Sequence, residues 1–64
     1  MTALMHNNLR FYTLRMTESS EMAEKMALEF EDKFNALDKY DQSDLSFKIE
    51  MDGWEKAFEM IDKY

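Results

Sequence analysis

The chain has 64 residues, of which 45% are hydrophobic, with a net charge of -6, no cysteine and a single histidine. A chain of this length forms one domain at most, here residues 1–64, and its small core is only marginally stable. The hydrophobic fraction is too high for intrinsic disorder. Without cysteine and with one histidine, the chain can form neither a disulfide nor a zinc site of its own. No apolar run approaches the roughly 20 residues of a membrane span. We expect a cytoplasmic protein without membrane contact.

The charge is distributed unevenly along the chain. Residues 1–17 carry two arginines and no acid, for a charge of +2, whereas residues 18–64 carry all fourteen acids and six lysines, for a charge of -8. Nucleic-acid binding depends on Lys and Arg that displace counterions from phosphates. We therefore expect no direct binding to DNA or RNA.

The N-terminal quarter has apolar residues on both faces of an extended chain. In LRFYTLRM, residues 9–16, Leu9 and Phe11 would lie on one face and Tyr12 and Leu14 on the other. This pattern predicts a strand covered on both sides. Before it, MTALM at residues 1–5 is compatible with a short extra strand, and HNN with a turn.

A helix is predicted from about residue 18 to residue 39, because apolar residues recur there at steps of three or four. The predicted stripe comprises Met22, Met26, Phe30, Phe34 and Leu37. Thr17 or Ser19 can accept hydrogen bonds from the free N–H groups of the first turn. The polar residues 38–44 are expected to form the turn that follows.

The stretch LSFKIEM, residues 45–51, alternates apolar and polar residues without exception. Alternation at period two is typical of a strand with one buried face, so a second strand is predicted here.

Two structures are compatible with the residues after Met51. Asp52–Gly53 favours a hairpin and a third strand, because both residues tolerate a positive φ. The helical spacing of Trp54, Phe58 and Ile61 favours a helix, with Asp52 as a cap, and we prefer this alternative. The predicted fold class is thus α+β in the order β-α-β-α, with a long amphipathic helix packed on a small sheet.

Two strands alone leave both edges of a sheet unpaired and need a neighbour. The missing strand could come from residues 1–5, from a hairpin after Asp52, or from a second copy of the chain. A homodimer would also enlarge the small core, so we expect homodimerisation through the open edge. Alternatively, the edge could receive a strand from a different protein.

No group of residues suggests catalysis. His6 has no cysteine or serine beside it in a nucleophilic arrangement, and a chain this short has little room for a cleft. The spacing of Asp38, Asp41 and Asp44 does not fit a calcium-binding loop. We expect no enzymatic activity, no metal and no cofactor.

The predicted partner-binding site lies on the polar face of the long helix. Counting about 100° per residue, Leu28 points away from the apolar stripe and into a field of acids. The site comprises Glu21, Glu24, Leu28, Glu31, Asp32, Asn35 and Asp38. It predicts a small acidic protein-binding module, an inhibitor or adaptor, for a protein with a basic surface.

Two further functions are compatible with these features. An ordered array of carboxylates could mimic nucleic acid, as in small acidic inhibitors that include viral ones, although the interspersed lysines count against it. The alternative function is a homodimeric structural protein that assembles through its open sheet edge.

Overall fold

The computed structural model describes all residues from 1 to 64 and contains helices only. Four α-helices follow one another along the chain: α1 (Ala3–Met16), α2 (Ser20–Ala36), α3 (Lys39–Asp52) and α4 (Trp54–Met60). A short 3₁₀ helix (Ile61–Lys63) continues α4 to the C-terminus. Helix α1 packs on α2, α3 packs on α4, and the 3₁₀ helix returns to α2.

The predicted α+β class and the β-α-β-α order are wrong. Residues 9–16 and 45–51, both predicted as strands, lie inside α1 and α3. The possible extra strand at residues 1–5 does not form, because Thr2 caps α1 and residues 3–5 belong to its first turn. The predicted helix at residues 18–39 exists with bounds Ser20–Ala36, and the helix preferred after Gly53 exists as α4.

The alternating stretch 45–51 is compatible with a helix for a geometric reason. Residues four apart lie about 40° apart around a helix, and residues two apart lie about 200° apart. Leu45 and Ile49 therefore share the inner face of α3, while Phe47 and Met51 share the outer face. The same rotation buries Leu9 on α1 and leaves Phe11 outside.

Three helices begin at side-chain caps that satisfy free backbone N–H groups. Met5 N donates to Thr2 Oγ1, Met22 N donates to Ser19 Oγ, and Asp41 N donates to Asp38 Oδ1 at 2.8 Å. The predicted cap at Ser19 is confirmed. The predicted cap at Asp52 is wrong, because that residue ends α3 and α4 has no side-chain cap.

A single core holds the helices together. Its buried members are Leu9, Ala27, Phe30, Phe34, Leu45, Ala57 and Ile61. Phe30 is its centre, with ring centroids 4.6 Å from Phe58 and 5.5 Å from Trp54. Tyr12 extends this aromatic cluster toward α1, at 5.2 Å from Phe58. Edge-to-face and offset pairs of this kind add to the stabilisation from burial alone.

Self-association or augmentation through an open sheet edge has no structural basis, because the chain forms no strand. The core is instead formed by side chains of the helices of one chain. None of these helices combines the length and the apolar character that crossing a bilayer requires.

Candidate functional site

The predicted partner-binding residues lie mainly along the outer side of α2. Leu28 is 46% exposed there, and Glu21, Asp32 and Asn35 are exposed on the same helix. This is the placement predicted from the helical rotation. The binding role of this face stays a prediction.

Two acids of that face contact basic residues of α1. Arg10 Nη1 lies 3.4 Å from Glu24 Oε1, and Arg10 Nε donates to His6 Nε2 at 2.9 Å. His6 Nδ1 lies 2.6 Å from Glu31 Oε1, but the two atoms are not aligned as a hydrogen bond and Oε1 has no hydrogen-bond donor. The weakly basic N-terminal segment thus contacts acids of the same chain, so fewer carboxylates on α2 are without a contact.

Asp38 has a structural role at the other end of the predicted site. Its carboxylate caps α3, while the Gln42 amide donates to Phe34 O and Leu37 O at the end of α2. These contacts set the turn between the two helices. Of the seven predicted residues, Glu21, Leu28, Asp32 and Asn35 have no such contact within the chain.

The largest uncovered apolar side chains lie elsewhere, on the outer faces of α1 and α3. Phe11 is 66% exposed and Phe47 is 61% exposed. Each has an exposed apolar neighbour on the same face of its helix: Leu4 lies seven residues before Phe11, and Met51 lies four residues after Phe47. Helices α1 and α3 each carry apolar residues on two opposite faces, and only one face of each helix is buried in the core.

A groove runs along α1 beside these faces, with Trp54 in its floor, and we call it the Trp54 groove. One part is a cavity of about 420 Å³ lined by Leu4, Met5, Ile49 and Glu50 among others. The next part, of about 280 Å³, is lined by Phe11, Tyr12 and Arg15. The two parts adjoin, because Asn8 and Trp54 line both of them.

The lining of the Trp54 groove carries one acid and one base. Glu50 lines it from α3, and Arg15 is its one basic residue. Burial raises the pKa of the Tyr12 phenol, and the carboxylates of Glu55 and Glu59 raise it further. The negative field of α4 therefore reaches the wall that Tyr12 forms.

No three His, Cys, Asp or Glu side chains come together in a cluster that could hold a metal ion. A second polar cluster joins the C-terminus to α3: Tyr64 Oη donates to Asp44 Oδ2 at 2.6 Å, and Lys48 Nζ lies 3.0 Å from the same oxygen. These contacts fix the C-terminal residue on α3.

The groove is not among the predicted sites, because the segments that carry Phe11 and Ile49 are predicted to be strands. The exposed face of Phe47 and Met51 is missed for the same reason, since a strand at residues 45–51 puts both on its one buried face. The signal that could have identified the surface was present in the sequence. Two apolar stripes on opposite sides of a helix leave one stripe uncovered in a chain too short to bury both.

Comparisons of the chain with protein-family models, with curated proteins and with solved structures gave no match.

Proposed function

We propose that the chain is a protein-binding module, an inhibitor or adaptor, whose partner presents a basic surface. The proposal rests on the uncovered apolar faces of α1 and α3, and on the groove that Leu4 and Phe11 of the α1 face line. Single exposed leucines are common on protein surfaces, whereas aromatic and aliphatic side chains grouped around a groove are typical of binding sites.

Charge supports a basic partner. The net charge of -6 favours association with a positive surface and disfavours nucleic acid and anionic membranes. Complementary charge mainly accelerates association and selects partners, while buried apolar anchors supply most of the affinity. Phe11 and Phe47 are suited to be such anchors, because a partner could cover most of each ring.

The outer face of α2 around Leu28 is the second candidate surface. Its free acids and its exposed leucine favour the same class of partner. Mimicry of nucleic acid is less well supported, because Glu24 pairs with Arg10, and Lys25 and Lys33 interrupt the array of carboxylates on α2.

Affinity capture from a lysate of the native host separates the two surfaces. The baits are the unmodified chain, the double variant Phe11→Glu/Phe47→Glu, and the matched double variant Met22→Glu/Leu28→Glu on α2. Both variants replace two exposed apolar residues and add two negative charges. We expect the α2 variant to retain a basic protein and the α1/α3 variant to lose it.

The reverse pattern would assign the site to α2. If both variants retained every protein that the unmodified chain binds, the proposal would be contradicted for both surfaces. The proposed cytoplasmic location is tested separately, by fractionation of the host and detection of the chain with an antibody.

A further inference from the structure

The geometry of the Trp54 groove points to one kind of occupant. We propose that it binds an amphipathic helix of the partner, with the apolar stripe of that helix between Leu4 and Phe11 on α1 and Ile49 on α3, and with flanking Lys or Arg side chains toward Glu50. This inference rests on the proposed function and specifies how the partner is recognised.

The shape of the groove is suited to a helix. Its α1 wall is formed by Leu4, Asn8, Phe11 and Arg15, which lie at steps of four, three and four residues and so share one side of the helix. Eleven residues of α-helix span about 16 Å, or three turns. A partner helix of similar length could contact this wall throughout, as in other helix-in-groove complexes.

Other occupants fit less well. An extended peptide that adds as a strand needs the edge of a sheet, and this chain has none. A second copy would bring a charge of -6 against a chain of the same charge, which opposes self-association unless salt screens it. An anionic lipid surface is disfavoured for the same reason.

The charges around the groove specify the polar sides of the partner helix. Glu50 lies on the α3 wall, and Glu55 and Glu59 act on the Tyr12 wall. Arg15 is the only cation that lines the groove. A helix with Lys or Arg beside its apolar stripe would place cations near these carboxylates, whereas one with Glu at the same positions would add repulsion.

Trp54 provides the readout, because it is the only tryptophan and lies in the floor of the groove. The probe is a synthetic 18-residue peptide of Leu and Lys with Leu at helical spacing and no tryptophan. Control peptides have Glu in place of Lys, or the same Leu and Lys in an order without helical periodicity. Binding is followed by the emission spectrum of Trp54 during titration.

Matched variants separate groove binding from general attraction to an acidic protein. Glu50→Lys changes the groove, and Glu21→Lys makes the same charge change on the outer face of α2. Phe11→Ser removes an apolar contact at the groove, and Leu28→Ser removes one on α2. Far-UV circular dichroism establishes that each variant is folded before titration.

We expect the periodic Leu/Lys peptide to shift the emission of Trp54, and the two control peptides not to do so. Glu50→Lys and Phe11→Ser should each weaken binding about tenfold, the range for truncation or reversal of a central contact, while Glu21→Lys and Leu28→Ser change it less than about twofold.

Three results would overturn the inference. Equal binding of the Glu peptide or the non-periodic peptide would exclude recognition of a basic amphipathic helix. Equal losses in the groove and α2 variants would exclude the groove as the site. Dimers seen by sedimentation without peptide, and abolished by Phe11→Ser, would make a second copy the occupant. The capture experiment distinguishes this failure from failure of the proposed function. If Phe11→Glu/Phe47→Glu still loses a basic protein there, the proposed function stands and only the helical form of the partner is rejected.

Discussion

Leu45 and Phe47 are two residues apart on α3, yet Leu45 is fully buried and Phe47 is largely exposed. The relationship follows from the helical rotation of about 200° between them. It divides α3 into an inner face that contributes to the core and an outer apolar face on which Phe47 and Met51 are largely exposed. The same division on α1 separates Leu9 from Phe11. The outer faces are therefore available to a partner without any change in the fold.

The two faces should respond differently to truncation of an aromatic side chain. Phe30→Ala removes the centre of the aromatic cluster, and loss of a buried phenylalanine costs about 3–5 kcal/mol. This cost is about the whole stability expected from the core of a domain this small, so the variant should be largely unfolded at 25 °C. Phe47→Ala should change the free energy of unfolding by less than about 0.5 kcal/mol. Far-UV circular dichroism during urea titration measures both effects, and similar losses in the two variants would contradict the assignment of faces.

Asp38 should be needed for stability, because it caps α3. Asp38→Ala removes the acceptor for Asp41 N and should lower the free energy of unfolding by about 1 kcal/mol. Asp32→Ala is the matched control, since Asp32 is exposed inside α2 and caps no helix. Urea denaturation of the two variants measures the difference. An equal effect of both substitutions would argue against the cap.

Gly53 joins α3 to α4 with φ at 88° and ψ at 175°, a combination that residues with an L side chain rarely adopt. A Cβ added there would meet no atom within 4 Å, so the cost of Gly53→Ala comes from the backbone and not from a clash. We expect a loss of about 1–3 kcal/mol. Replacement by D-alanine, made by chemical synthesis, reverses the backbone preference and should avoid this loss. Equal melting temperatures for the two alanine forms would contradict a conformational cause.

The contact between Tyr64 and Asp44 should make stability depend on pH at both extremes. Hydrogen bonding from Tyr64, and then from Lys48, lowers the pKa of Asp44 below the ordinary 3.8. The stabilisation of the folded chain by ionised Asp44 is therefore present above pH 3.8 and is lost as the pH falls through the lowered pKa. The hydrogen bond to Asp44, and then burial, raise the pKa of Tyr64 above 10.0, so the stabilisation is present below that value and is lost as the pH rises through the raised pKa.

Tyr64→Phe isolates this contact, because it removes the hydroxyl and keeps the ring. Melting temperatures of the unmodified chain and the variant should differ most between these two limits and converge at lower and higher pH. A difference that stays constant from pH 3 to pH 11 would show that the hydroxyl does not act through Asp44.

The part of the fold that the sequence predicted correctly is the part with a simple helical period. In α2 the residues Ala23, Ala27, Phe30 and Phe34 are buried at steps of three or four, and Ser19 caps the first turn. Met22, predicted on the same stripe, is exposed although the next residue, Ala23, is buried. Met22 lies about 100° around the helix from Ala23, outside the arc that packs on the core.

Helices α1 and α3 could not be recognised by the same rule. A helix with one apolar face gives a period of 3.6, but apolar residues on both faces give alternation that is also typical of a strand. In α3 the pairs Leu45–Ile49 and Phe47–Met51 produce this ambiguity together. The capping residues Thr2 and Asp38 were the local features that favoured helices, and both had been assigned to other roles.

The site was predictable only in part for the same reason. The exposure of Leu28 followed from the rotation of α2, whereas the contacts of Glu24 and Glu31 depend on α1 being a helix that places Arg10 and His6 beside them. The groove needs the relative positions of three helices. Those positions are tertiary information that residue spacing does not contain.

The most direct test of the binding surface is photo-crosslinking in the native host. The photoreactive residue p-benzoylphenylalanine replaces Phe11, Phe47 or Leu28 in three separate versions of the chain, and the adducts are identified by mass spectrometry after irradiation. We predict that the versions changed at Phe11 and Phe47 crosslink to the same basic protein, within a helical segment rich in Lys or Arg, and that the version changed at Leu28 does not. Adducts from Leu28 alone, or only between copies of the chain, would contradict the assignment of the partner surface to α1 and α3.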